Sequence, residues 1–244
     1  MTQLYHPTDP ATAPDSDLVG ARMKAVTDSS IVMGIVLLPA FLLALLIENP
    51  PRALGAVGPL SVILAVITAH FLLKRDGRSF SNLGMSMPRN IVRTGLLGLA
   101  GALGVLIVSA PIMIGVQQLT GHQPDISALD FVRGSLPGLT LILAITWTTA
   151  AFGEEMVFRG FALNRLAESM GSTRASFAVA ALIQAVIFGL AHSYQGPVGA
   201  FGAGLVGGLI AVLYLVVKRN LWVAILTHGL YDTIGLVGVY FSAQ

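Results

Sequence analysis

Seven apolar runs divide the chain, at 29–48, 54–73, 94–116, 135–153, 175–192, 197–217 and 221–241. Each is close to the roughly 20 residues that a helix needs to cross the hydrocarbon of a bilayer. The segments between them carry turn formers: ENPPR at 48–52, KRDGRSFSNLGMSMPRN at 74–90, TGHQPD at 120–125 and ESMGSTR at 168–174. The pattern predicts an all-α fold, a polytopic transmembrane helix bundle of about seven long helices over 28–244, with no internal repeat and no second domain. Residues 1–27, with Pro7, Pro10, Pro14, Asp9, Asp15 and Asp17, lack the basic start and short apolar core of a cleaved signal. They are predicted to form a mobile polar cytoplasmic tail.

Composition sharpens this picture. Hydrophobic residues are 55% of the chain, charged residues 11%, and mean hydropathy is +0.79, values foreign to a water-soluble domain. The formal net charge of +2 gives no footing for nucleic acid, so membrane lipids are the expected surroundings. With no cysteine, disulfides, thiolate metal sites and thiol nucleophiles are excluded, and any metal must be held by His, Asp and Glu. If the amino terminus is cytoplasmic, only Arg52 and Arg133 of the fourteen Lys and Arg fall outside, as the positive-inside rule requires. A missed or extra helix breaks this alternation.

Away from the tail and loops, the ionisable residues at membrane depth are His70, Glu154, Glu155, Arg159, His192, His228 and Asp232. A charge at the bilayer centre costs roughly 2.5–3.5 kcal/mol even on lenient insertion scales, so each needs a reason. His70 stands near Lys74 and Arg75 at a helix end, where an imidazole reaches the interface, and is read as structural. Glu155 and Arg159 stand four apart with the acid first, the favourable spacing for a helical ion pair. A structural salt bridge explains that pair as well as a catalytic role does. It leaves Glu154 unexplained, because on an α-helix Glu154 faces about 140° away from Arg159.

His228 and Asp232 repeat the four-residue spacing on another helix, and Phe188 and His192 on a third. Whether they meet is a question of depth. Nothing between 137 and 168 breaks a helix except Gly153 and Gly160, so the fourth helix is expected to run on past Arg159. Glu154 then lies about 24 Å from the 168–174 turn and His192 about 28 Å. His228 and Asp232 lie about 14 to 20 Å from the Lys218–Arg219 turn, level with the others if the fourth and fifth helices project about 10 Å into the cytoplasm. The run GAFGAGLVGGLIA at 199–211 spaces Gly199, Ala203 and Gly207, and also Gly204 and Gly208, by four, which predicts close helix packing rather than a phosphate loop.

A carboxylate without a cationic partner in a low-dielectric pocket suits a general base that takes a proton from water. Two imidazoles can hydrogen-bond that water, stabilise an oxyanion or bind a divalent metal. Asp232 is expected to orient His228 only through a relayed geometry, or to add a fourth polar ligand. Neither GxSxG nor HExxH occurs. Hydrolysis by a Glu-activated water, with or without metal, fits these residues best.

EEMVFR at 154–159 fits EExxxR, FGLAH at 188–192 fits FxxxH, and HGLYD at 228–232 fits HxxxN/D, in that order on successive apolar runs. Over roughly 135–240 the sequence resembles the CPBP family of intramembrane proteases, the type II CAAX prenyl endopeptidases and their abortive-infection and bacteriocin-processing relatives. The resemblance implies an endopeptidase, metallo- or glutamate-dependent, in which Glu154 activates water, His192 and His228 assist, Asp232 completes the site, and Glu155 and Arg159 fill out the first motif. If a metal such as zinc is used, His192, His228, Glu154 and Asp232 would hold it. Asp232 stands where the eukaryotic prenyl proteases have Asn, which adds an anion and favours a metal or a shared proton. The implied partner is a peptide or protein substrate, lipidated in the CAAX case, and the implied location a bacterial plasma membrane. Two rival classes fit less well: a proton-coupled transporter, which inverted repeats and broken helices would mark, and a noncatalytic immunity or scaffold protein, which would tolerate loss of Glu154.

Overall fold

The computed structural model describes residues 15–46 and 57–242, and among these the secondary structure is helical, without strands. Seven long helices follow one another: α1 Asp15–Leu46, α2 Val57–Arg75, α3 Ile91–Thr120, α4 Leu136–Ser169, α5 Arg174–Ala191, α6 Gly196–Val216 and α7 Leu221–Phe241. Helices α2 to α7 are long and apolar enough to cross a membrane, and the chain is an integral membrane protein. The predicted first crossing, 29–48, ends outside the described residues.

The starts and stops are written locally. Asn90 accepts a hydrogen bond from the Arg93 amide to open α3, and Gly121, at φ 69°, closes it by donating to the Gln117 carbonyl. Ser135, Thr173 and Asn220 cap α4, α5 and α7 in the same way. Residues 15–27 are not a tail: they form the first turns of α1, and only 1–14 of that segment lie outside the described residues. Charge pairing at the end of the bundle accounts for this. Asp28, 2% exposed, receives Arg75 through two bonds of 2.8 and 2.9 Å, Lys24 and Arg165 both reach Asp76, and Glu168 holds Arg78 at 2.7 Å and Arg165 at 3.0 Å.

Helix α4 sits at the centre of the bundle, with every residue from Met156 to Leu163 buried. It departs from α geometry: Thr146–Glu154 and Met156–Ala162 form π-helical turns, in which the backbone bonds run to the fifth residue. Side chains take up carbonyls that these turns leave. The Thr148 and Thr149 hydroxyls donate to the Ala144 and Ile145 carbonyls, and the Asn164 amide donates to the carbonyls of Arg159 and Gly160. Helix α6 approaches α5 as its glycines predict. A methyl on Gly189 would lie 2.7 Å from the Ala200 carbonyl oxygen, and one on Gly204 would lie 3.2 Å from that of Ala185.

Candidate active site

The first-motif residues lie where the two π-helical stretches of α4 meet. Both Glu155 and Arg159 are fully buried, and they form the expected pair, Arg159 Nη1 to Glu155 Oε1 at 2.7 Å. The guanidinium does more than neutralise an acid. Its Nη2 donates to the Gly207 carbonyl at 2.7 Å, and its carbon lies 4.8 Å from the centre of the Phe188 ring. Helices α4, α5 and α6 are thus joined through one side chain. A methyl on Gly207 would come within 2.9 Å of Phe188 and 3.2 Å of Arg159, so the small residue makes room for this junction.

Helix α7 closes the group. His228, also buried, presents Nδ1 to Glu155 Oε1 at 2.8 Å and Nε2 to Asp232 Oδ2 at 3.4 Å. Glu155 is thus the acid that bonds His228, and one expectation changes: Asp232 pairs with His228 directly rather than through a relay. The Nδ1–Glu155 contact is at hydrogen-bond length, whereas the longer Nε2–Asp232 contact is electrostatic. The depth of the ring is set from behind by Trp147, which donates to Thr233 at 3.2 Å and lies so close to Gly229 that a methyl there would stand 2.6 Å from the indole.

On α5, His192 sets Nδ1 against the Phe188 carbonyl at 2.8 Å. A carbonyl oxygen only accepts, so Nδ1 carries a proton, which in the neutral imidazole makes Nε2 the acceptor. The Phe188 ring lies 4.6 Å from that of His192 and 6.0 Å from that of His228, which puts the second and third motifs at one level. Glu154 is within electrostatic reach of His192, His228, Asp232 and Arg159, yet its buried Oε2 has no hydrogen-bond partner. The structure thus joins Glu155, Arg159, His228 and Asp232 and sets His192 beside the shared Phe188 ring, while His70 lies apart, exposed on α2.

Sequence reasoning passed over Gln184, which is fully buried on α5 and donates to the Ala181 carbonyl at 3.0 Å and the Gly207 carbonyl at 3.4 Å. The signal was present, because Gln184 interrupts an apolar run four residues before Phe188 and eight before His192, on the same helix face. As for a metal, no group of three or more His, Asp or Glu stands at ligand spacing among the described residues. His228 has both nitrogens against carboxylates, and only one nitrogen of His192 is free. The donor set does not fit a protein-held metal.

No curated protein and no solved structure matches the chain. Residues 136–234, which run from the start of α4 through Asp232 on α7, match the family model for the type II CAAX prenyl endopeptidase, Rce1-like. Over that stretch, which holds all three motifs and every residue of the cluster, the chain is similar to the Rce1-like type II CAAX prenyl endopeptidases, a family of proteases.

Proposed function

We propose that this protein is an intramembrane endopeptidase that hydrolyses a peptide bond with a water activated by Glu154. The observation that carries the reading is the contrast between adjacent acids. Glu155 is committed through Oε1 to Arg159 and His228, although its Oε2 has no partner, whereas Glu154 makes no hydrogen bond or ion pair with any described residue. A carboxylate left unpaired away from water costs stability and is kept where its basicity is used.

In this mechanism a water bonded to Glu154 donates its second hydrogen to His192 Nε2, the free acceptor. Glu154 takes the proton as the oxygen adds to the scissile carbonyl carbon, and the tetrahedral oxyanion forms. Glu154 then delivers that proton to the departing amine, the C–N bond breaks, and an acid and an amine leave. His228, held between Glu155 and Asp232, supplies positive field to the developing charge. Arg159 acts through others, fixing Glu155 and the α6 backbone.

The family's printed name supports a prenylated CAAX-type peptide as substrate. Lys24, Arg75, Arg78 and Arg165 gather at one end of the bundle, which supports a cytoplasmic amino terminus. The test is cleavage of internally quenched membrane peptides, with and without a prenylated carboxy terminus, by purified wild type and Glu154→Gln. Cleavage by wild type alone is expected. Equal cleavage by both, or none by the wild type, overturns the reading.

A further inference from the structure

Among the described residues, the buried polar atoms without a partner include Glu154 Oε2, Glu155 Oε2, Arg159 Nε and Gln184 Oε1. The first three belong to the EExxxR motif. The fourth belongs to a side chain that the mechanism above does not use. Gln184 is fully buried on α5, inside an otherwise apolar run, and an amide atom left unmatched there costs stability. Its presence needs a reason, and its neighbours supply one.

Gln184 Nε2 donates to the Ala181 carbonyl at 3.0 Å, on the preceding turn of its own helix, and reaches across to the Gly207 carbonyl on α6 at 3.4 Å. Arg159 Nη2 donates to that same Gly207 oxygen at 2.7 Å. The two side chains meet at one atom. In a guanidinium, the Nε–H and an Nη2–H lie along a common edge, so the edge that meets Gly207 also carries the unmatched Nε–H. An unmatched donor on Arg159 and an unmatched acceptor on Gln184 thus flank a single carbonyl.

The opposite side of the guanidinium does the work that matters to the site. Arg159 Nη1 holds Glu155 Oε1 at 2.7 Å, and that oxygen meets His228 Nδ1 at 2.8 Å. A guanidinium is planar and rigid, so whatever turns the Gly207 edge also turns the Glu155 edge. Phe188 lies against its face, 4.8 Å from the guanidinium carbon to the ring centre, and Gly207 has no side chain to steer it. An amide suits the remaining place. It is neutral, so it does not compete with Glu155 for the charge of Arg159, yet it offers a donor to the shared carbonyl and an acceptor beside the Nε–H.

Resting on the reading above, we propose that Gln184 is a positioning residue for the hydrolysis: from the Gly207 side it sets the plane of the Arg159 guanidinium, and through it the contact between Glu155 and His228. It acts through Arg159 and touches neither the reacting water nor the peptide.

Two variants of similar length test this with an internally quenched prenylated CAAX-type peptide. Gln184→Met keeps the bulk and removes the amide, and kcat is expected to fall by about tenfold with KM within about twofold of wild type. Gln184→Glu sets a rival acid beside the free edge of Arg159 and draws it from Glu155, and kcat is expected to fall further, by about 10²-fold. Unfolding midpoints in detergent show whether either loss reflects unfolded protein; where Gln184→Glu does not accumulate, Gln184→Met decides. Wild-type kcat in Gln184→Met, a change in KM alone, a loss no larger than the loss of folded protein, or Gln184→Glu cleaving as fast as Gln184→Met overturns the assignment. Glu154→Gln, run alongside, separates the two failures: if it is inactive while Gln184→Met is normal, only the Gln184 assignment falls, and if it cleaves like wild type, the underlying mechanism falls.

Discussion

Helix α4 carries two clusters of acids and bases, and they are built on opposite principles. At its end, Arg165 is shared among Asp28, Asp76 and Glu168, and each of these acids meets a basic partner. Near its middle, Glu154, Glu155 and Asp232 face a single arginine, and the remaining balance is left to imidazoles. Paired charges at the edge of a bundle hold helices together. A surplus of acid inside it leaves one carboxylate free to react. Position along one helix thus separates scaffold from chemistry.

The sharpest test of that contrast removes an acid from each cluster. Glu154→Gln is expected to lower peptide cleavage by about 10²- to 10⁴-fold with an unchanged unfolding midpoint in detergent, whereas Glu168→Gln leaves kcat within about twofold. Equal losses would erase the distinction. Next in size, Arg159→Leu strands Glu155 in a fully buried place and is expected to destabilise the protein by about 3–5 kcal/mol, read from denaturant unfolding in detergent. A stable, well-expressed Arg159→Leu would mean that His228 alone suffices for Glu155.

The end cluster predicts a pH signature. Burial pushes the Asp76 carboxyl up, but hydrogen bonds and charge from Lys24 and Arg165 outweigh it and hold the group down at about 2, against an ordinary 3.8. A depressed acid stabilises the fold above its unfolded value and loses that contribution as pH falls from about 4 through about 2, a loss of about 2 kcal/mol. Asp76→Asn should remove this step from the difference between the two unfolding curves. The smallest expected effect is that of a chelator: with His228 held between Glu155 and Asp232 and one His192 nitrogen bonded to a carbonyl, thorough chelation should leave cleavage unchanged. Loss of activity restored by zinc would break that expectation.

Much of the bundle was legible as apolar run length, because lipid demands about 20 apolar residues per helical crossing. The partnership of Glu155 and Arg159 was legible too, since four-residue spacing survives the change to π turns. That change was not. Neither Gly153 nor the threonines announce it. The choice of Glu155 over Glu154 by His228 was also hidden, since spacing within one helix says nothing of which face a neighbour meets. Residues 15–27 misled for a different reason: Lys24 is polar by composition but is tied down by Asp76, a partner 52 positions away.

The embrace of Arg165 by Asp28 and Asp76 reaches beyond stability. Both aspartates precede the stretch that carries the protease motifs, so an excised 136–234 fragment would carry a guanidinium without its two aspartates. Grafting this reaction centre onto another membrane scaffold therefore means transplanting the first two helices with it, or replacing Arg165 by an apolar residue at the same time.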